Sequence, residues 1–140
     1  MTDRPDLAAM LVPLGRSLMR AEEPVLRAHG LTMWAYSVLL ALREQGARTQ
    51  AALAARIGAD KTRLIPVLDD LQDRGLIERR PDPADRRVRL LSITVEGRRL
   101  AERAQTEIQR NEEQVLGKLP PSERAVFLRA LRTLADAVRE

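Results

Sequence analysis

The segment from Thr49 to Thr94 constrains the fold of this 140-residue chain more than any other part of it. It contains two short helical patterns on either side of the Gly58-Ala59 pair, followed by two strand patterns with arginine-rich sequence between them. Glycine commonly follows the end of a helix, and Asp60 is a favourable N-cap for the helix after the turn. The order of helix, tight turn, helix and protruding hairpin predicts a winged helix-turn-helix.

The composition indicates one folded domain that spans residues 1–140. Hydrophobic residues make up 44% and charged residues 31% of the chain, which is typical of a globular protein. Trp34, Tyr36 and Phe127 are the only aromatic residues, so a module that stacks bases on aromatic side chains is not expected. The chain has no cysteine and no metal-spaced ligand set, and we predict neither a metal site nor a cofactor.

Hydrophobic periodicity predicts a mainly α-helical fold with a small β-hairpin. Thr32, Thr49 and Thr94 are predicted N-caps, and Pro13 and Pro24 are expected to bend or break the first helix. The helix after Thr94 contains Gly97, which we expect to weaken it. The predicted helices cover residues 7–28, 32–44, 50–57, 61–74, 95–116 and 122–138, and the predicted strands cover residues 76–80 and 88–93.

The helix over residues 61–74 is the predicted recognition helix, because the N-terminal residues of such a helix reach base edges in the major groove of DNA. We assign Lys61 to a phosphate, Thr62 to a base or phosphate, and Arg63 to guanine. Capping alone is the alternative role for a threonine and an arginine at a helix start. With helix starts and the hairpin tip included, the predicted DNA-binding residues are Arg48, Thr49, Gln50, Lys61, Thr62, Arg63, Pro66, Arg86, Arg87 and Arg89.

The hairpin tip concentrates positive charge. Six arginines and three acids lie between Arg74 and Arg89, and this excess accounts for three of the four net positive charges of the chain. Arg86 and Arg87 are placed to enter a narrow minor groove. Asp85 would weaken that attraction, so we predict that it pairs with Arg87 and stabilises the wing, with Arg89 bracing the same corner. A solvated strand edge that prevents aggregation is the alternative interpretation.

The terminal helices carry more apolar surface than the lobe over residues 31–94 can cover. A two-fold dimer formed by residues 1–30 and 95–140 would bury it and place two recognition helices about 34–36 Å apart. The alternative is that these helices fold back on their own subunit.

These motifs resemble the multiple-antibiotic-resistance regulator (MarR) family. The resemblance rests on Leu71-x-x-x-Gly75-Leu76-Ile77, on the wing sequence over residues 82–87, and on the passage over residues 91–98. It implies a homodimer that binds pseudo-palindromic double-stranded promoter DNA, usually as a repressor. In many members a small aromatic or phenolic effector releases the DNA, and the candidate effector-binding residues here are His29, Met33, Trp34 and Tyr36. Core packing of the tryptophan and helix capping by the histidine are the alternatives.

Two prolines depart from the family pattern. Pro66 lies inside the recognition helix and cannot donate to the carbonyl of Thr62, so the helix is expected to bend or widen there. Pro120 replaces the usual polar cap before the last helix, which leaves the exact start of that helix open.

Other classes of function have little support in the sequence. One histidine, no cysteine and no glycine-rich phosphate loop argue against an enzyme. A winged-helix module that binds only proteins is the remaining alternative. The chain shows no signal peptide and no apolar run of about 18 residues, so we expect a cytoplasmic protein without a membrane partner.

Overall fold

The computed structural model describes residues 3–139 and has the predicted winged helix-turn-helix fold. The described part of the chain is mainly α-helical and includes a three-stranded antiparallel sheet. In chain order the elements are α1 (Leu7–Ala28), α2 (Met33–Gln45), β1 (Arg48–Thr49), α3 (Gln50–Ile57), α4 (Lys61–Asp73), β2 (Ile77–Pro81), β3 (Arg89–Ile93), α5 (Val95–Leu116) and α6 (Pro121–Ala137).

Threonine side chains cap the starts of three helices as predicted. The hydroxyl oxygens of Thr32, Thr49 and Thr94 accept hydrogen bonds from backbone N–H groups three residues later, at 3.0–3.1 Å. Each bond satisfies a donor that the helix itself leaves unpaired. The starts of α2, α3 and α5 could therefore be predicted to within one residue.

The prolines do not break the helices, so a break at Pro13 or Pro24 is wrong, whereas a bend there or at Pro66 stays a prediction. α1 is one helix through Pro13 and Pro24, and α4 is one helix through Pro66. In α4 the buried residues Leu64 and Leu68 flank the proline, and their burial stabilises the helix although one backbone hydrogen bond is missing. α6 begins at Pro121, where the missing N–H would have no helical partner in any case.

The core centres on α2, which contacts elements from both ends of the chain. Val38, Leu39 and Leu42 are fully buried, together with Leu68 of α4 and Leu91 of β3. Trp34, in contrast, is 45% exposed, which argues against core packing as its role. α5 contributes to the same core through four further buried residues, Leu100, Ala101, Ala104 and Ile108.

Gly97 is a packing requirement and not simply a weak point of α5. A Cβ atom at this position would lie 2.1 Å from the backbone oxygen of Leu76, far inside van der Waals contact. The absence of a side chain therefore lets the first turn of α5 rest on the residue that precedes β2. This close approach joins α5 to the strand that follows α4.

Strand β1 was not predicted. The sheet order is β1-β3-β2, with Arg48 opposite Leu91 and Thr49 opposite Leu90. Two residues are too few for an alternating pattern, so periodicity cannot detect such a strand. β1 attaches the start of α3 to the hairpin and makes β3 the central strand.

The outermost helices leave apolar surface uncovered. α6 contains no buried residue. Large exposed apolar side chains lie on α1 and on α6, including Leu7, Met10, Leu11, Leu131 and Leu134. No single helix among residues 3–139 is long and apolar enough to cross a membrane.

Candidate nucleic-acid interface

The N-terminal end of α4 presents polar side chains to solvent. A carboxylate oxygen of Asp60 accepts from the backbone N–H of Thr62 at 3.0 Å and caps the helix. Lys61, Thr62 and Arg63 are exposed, whereas Leu64 and Leu68 anchor the opposite side of the helix in the core. Pro66 is also exposed, one turn farther along. The predicted base-reading residues therefore share the solvent-facing end of a firmly packed helix.

The start of α3 contains three further predicted contacts. Thr49 and Gln50 are half-buried at the N-terminus of α3, where backbone N–H groups can bind phosphate. Arg48 is different, because its pairing with Leu91 places its side chain on the inner face of the sheet. Its Nε atom is buried without a hydrogen-bond partner in the described structure. Arg48 is half-buried like Thr49 and Gln50, and its DNA contact stays a prediction.

The wing is an ordered hairpin whose loop is closed by backbone hydrogen bonds. β2 and β3 pair from Ile77 with Ile93 to Pro81 with Arg89. Beyond the strands, the N–H of Asp82 donates to the carbonyl of Val88 at 2.8 Å, and the N–H of Val88 donates to the carbonyl of Asp85 at 2.9 Å. These bonds give the loop over residues 82–88 a defined shape.

Asp85 pairs with Arg87 as predicted. One carboxylate oxygen of Asp85 accepts from the backbone N–H of Arg87 at 3.1 Å and from its Nε at 3.3 Å. The rest of the Arg87 side chain is exposed. Arg86 and Arg89 are exposed as well, and neither forms an ion pair within residues 3–139, so Arg89 does not brace this corner through one.

Arg79 connects the wing to the recognition helix, which sequence reasoning missed. Its Nη1 donates to a carboxylate oxygen of Asp69 at 2.7 Å and to the side-chain oxygen of Gln72 at 2.9 Å, both on α4. Only 18% of its side chain is exposed. Arg79 therefore fixes the base of the wing against α4 and does not add to the exposed charge. Nothing in the local sequence distinguishes it from Arg80, which remains exposed.

The four candidate effector residues do not line one common cleft within a single chain. His29 pairs with Glu107 of α5, with 3.1 Å between Nε2 and Oε1, and Tyr36 is buried in the core. Trp34 lies in a cleft of about 200 Å³ beside Arg63. Met33 lines a separate cleft of about 590 Å³ between α1 and the start of α2. A shared pocket in the proposed dimer stays a prediction.

The cleft that contains Met33 combines an apolar floor with a basic rim. Leu26, Leu31 and Met19 contribute apolar surface, while Arg16 and Arg20 are exposed at its edge. Arg27 also borders the cleft, but it pairs with Glu23 at 2.5 Å. This chemistry suits a molecule with an apolar body and an anionic end.

A small acidic cluster lies where α1 and α5 meet α2. Burial raises the pKa of Glu22, and repulsion from Glu112 raises it further. Burial likewise raises the pKa of Glu112, with a contribution from Glu113. Burial and the nearby glutamates raise the pKa of Tyr36 to about 12, so this side chain is a neutral phenol at physiological pH. No group of three or more His, Cys, Asp or Glu among residues 3–139 could bind a metal ion.

Comparisons with known proteins agree with this architecture. A sequence model described as the MarR family matches residues 29–88. The transcriptional regulator HosA of Escherichia coli O111:H- is 31% identical over 107 residues, which cover 76% of this chain and 79% of HosA. The HTH-type transcriptional repressor NicR of Pseudomonas putida is 30% identical over 107 residues, which cover 76% of this chain and 68% of NicR.

A solved structure extends the similarity to nearly the whole chain. CouR from Rhodococcus jostii RHA1, crystallised with p-coumaroyl-CoA, superposes with a TM-score of 0.81 at 28% identity, covering 99% of this chain and 96% of CouR. The described helices, sheet and hairpin follow the same fold as this regulator. On the sequence match to HosA and the architecture together, the chain belongs to the MarR family of transcriptional regulators.

Proposed function

We propose that the protein is a homodimeric transcriptional repressor that binds a pseudo-palindromic site in double-stranded DNA. The observation that carries this proposal is the pairing of two cationic elements on one rigid unit. Lys61, Thr62 and Arg63 are exposed at the N-terminus of α4, and the wing that presents Arg86 is bonded to the same helix by Arg79. One element matches the major groove and the other the minor groove.

The uncovered surface of α1 and α6 supports the dimer. A helix face with several large exposed apolar side chains is normally buried in an interface, and no residue of α6 is buried within its own chain. A two-fold dimer would place the two recognition helices about 34–36 Å apart, in successive major grooves. The name of the relative NicR, a transcriptional repressor, supports repression as the outcome.

The cleft lined by Met33 supports regulation by a small aromatic molecule with an anionic group. CouR was crystallised with p-coumaroyl-CoA, which has both features. In this chain the apolar floor would contact the aromatic body, and Arg16 and Arg20 would attract the anionic end. A ligand that binds one arrangement of the two lobes better than the other shifts the dimer between DNA-competent and DNA-incompetent states.

Fluorescence anisotropy with a duplex enriched from a random DNA library by the wild-type protein tests the proposed function. We expect Arg63→Ala to weaken binding by roughly tenfold or more and to relax base preference at one position in each half-site. Arg86→Ala with Arg87→Ala should weaken all sequences, and Arg103→Ala, an exposed arginine on α5, is the matched control. If the library yields no bound duplex while the protein retains its fold, a protein-interaction module replaces the DNA-binding proposal.

A further inference from the structure

The residues that follow the C-terminal end of α4 form hydrogen bonds to the ends of two helices of the predicted dimerisation region. On one side, the hydroxyl of Thr94 donates to the carbonyl of Gly75 at 2.7 Å, and its backbone N–H donates to the carbonyl of Leu76 at 3.1 Å. Thr94 is the N-cap of α5. On the other side, Nη1 of Arg74 donates to the carbonyl of Gly30 at 2.8 Å, in the turn that ends α1.

The contact between Arg74 and Gly30 is closely fitted. Gly30 has a φ of +70°, and a Cβ atom there would lie 3.1 Å from Nη2 of Arg74. Glycine thus permits both the turn and the approach of the guanidinium group. Asp70, one turn earlier on α4, is 3.4 Å from Nη1 and favours the same side-chain position. A charged donor to a carbonyl forms a stronger bond than two neutral groups do.

The turn that Arg74 contacts is itself attached to α5. His29 precedes Gly30, and its Nε2 lies 3.1 Å from Oε1 of Glu107. Only 15% of the His29 side chain is exposed. The end of α1, the middle of α5 and the end of α4 are therefore connected through side chains around one corner.

We propose that Arg74 is a positioning residue that sets the angle of the recognition helix on the dimerisation helices, and through that angle the separation of the two recognition helices. This inference rests on the proposed DNA-binding dimer and adds a determinant of half-site spacing to it. Arg74 lies at the opposite end of α4 from Lys61, Thr62 and Arg63, so it acts through the helix and not by touching the base edges that they are proposed to reach.

The length of α4 makes a small change of angle consequential. The helix has thirteen residues, so its first and last residues are about 18 Å apart at a rise of about 1.5 Å per residue. A rotation of about 5° at the Arg74 end would move Arg63 by about 1.5 Å, and the two-fold axis doubles this to about 3 Å between half-sites. That displacement is close to the rise of about 3.4 Å per base pair.

Binding to one half-site and to two half-sites distinguishes positioning from other roles of Arg74. The probes are a duplex enriched by the wild-type protein, a duplex with one half-site scrambled, and duplexes with one or two base pairs added or removed at the centre. For Arg74→Gln we expect affinity to fall about tenfold on the full site and to change less than about twofold on the half-site duplex. The optimum spacing should also shift or broaden.

Two further variants keep the test decisive. Arg74→Lys retains one charged donor and should restore most of the ratio between full-site and half-site affinity. Arg98→Gln removes one charge from an exposed arginine next to Gly97 on α5 and should change both affinities alike. Thermal melts of each variant show that the comparison is made on folded protein.

Two outcomes would overturn the positioning role. Equal loss on both duplexes for Arg74→Gln would show a general effect of charge or stability, and unchanged binding on both would show no role. If the wild-type protein forms no complex with any duplex, the DNA-binding proposal itself fails, and the inference about Arg74 fails with it.

Discussion

Arginines around the helix-turn-helix occupy environments that sequence alone cannot distinguish. The accumulation of positive charge at the wing could be predicted from the sequence, and so could the pairing of Asp85 with Arg87, which are two residues apart. The bonds of Arg79 to α4 could not, because Asp69 is ten residues away and the contact forms only when the hairpin packs on the helix. The burial of the Arg48 Nε atom could not be predicted for the same reason, since strand β1 determines the direction of this side chain.

Arg79 and Arg86 should separate stability from DNA binding. Replacing Arg79 with alanine removes two hydrogen bonds to α4, so we expect the free energy of unfolding to fall by about 1 kcal/mol or somewhat more. Replacing the exposed Arg86 should change it by less than about 0.5 kcal/mol while weakening DNA binding. Urea denaturation and anisotropy measure the two quantities, and equal stability losses in both variants would contradict this assignment.

Gly97 provides a second test at a single position. Helix propensity alone favours Gly97→Ala by about 1 kcal/mol. The contact with the oxygen of Leu76 predicts the opposite, a loss of about 2 kcal/mol or more, because the backbone must move apart. Gly15→Ala in α1 is the control, since a Cβ atom there meets nothing within 4 Å and should stabilise the protein. A stabilised Gly97→Ala variant would show that the close approach is not required.

Helices and their caps were the most predictable elements, and short or context-dependent features were the least. The range predicted for α3, residues 50–57, agrees with the observed helix because Thr49 and Gly58 mark its two ends. The continuity of α1 and α4 through their prolines depends on packing in three dimensions, which periodicity does not contain. Met33 and Trp34 lie in different clefts because consecutive side chains of a helix project about 100° apart.

The junction of α1 and α5 should make stability depend on pH. Burial raises the pKa of Glu22 and Glu112, so the folded protein binds protons that the unfolded chain has already released as the pH rises above 4.5. Stability contributed by these groups therefore decreases as the pH rises through their folded-state pKa values. Arg43 on α2 partly offsets the negative charge that acts on Tyr36.

Glu112→Gln tests this junction. The variant should be more stable than the wild type at pH 7.5 and should lose less stability between pH 5 and pH 7.5, because one of the two raised carboxyl groups no longer ionises. Glu102→Gln, an exposed position on the same helix, is the control. Denaturant titrations at both pH values provide the measurement. A variant that is less stable at pH 7.5, with unchanged pH dependence, would assign Glu112 a stabilising contact instead.

The effector proposal predicts different outcomes for two neighbouring residues of α2. With p-coumaroyl-CoA as the probe for an aromatic anion, Met33→Ala should weaken binding by about tenfold, because Met33 contributes apolar surface to the cleft. Trp34→Ala should leave binding nearly unchanged, since Trp34 lies in the other cleft. Isothermal titration calorimetry measures the affinity of each variant. A parallel titration with p-coumarate shows whether the thioester is needed for binding. Loss of binding only in Trp34→Ala would move the site to the cleft beside Arg63.

Binding to a pseudo-palindromic DNA site requires two chains of this protein. One chain leaves the apolar faces of α1 and α6 exposed and offers only one recognition helix. Charge at Leu134 should therefore disrupt assembly, and we expect Leu134→Asp to raise the dimer dissociation constant at least about 100-fold. Thr133→Asp places the same charge on the adjacent exposed residue and should leave the dimer intact. Sedimentation that shows equal association of both variants would place the interface elsewhere.

Hydroxyl-radical footprinting on the enriched duplex tests the central proposal most directly. We expect two symmetric protected regions whose centres lie about one helical turn apart. Each should have flanking minor-groove protection that disappears when Arg86 and Arg87 are replaced by alanine. Two chains should be bound per duplex. A single protected region occupied by one chain, or a wing whose removal leaves the pattern unchanged, would contradict it.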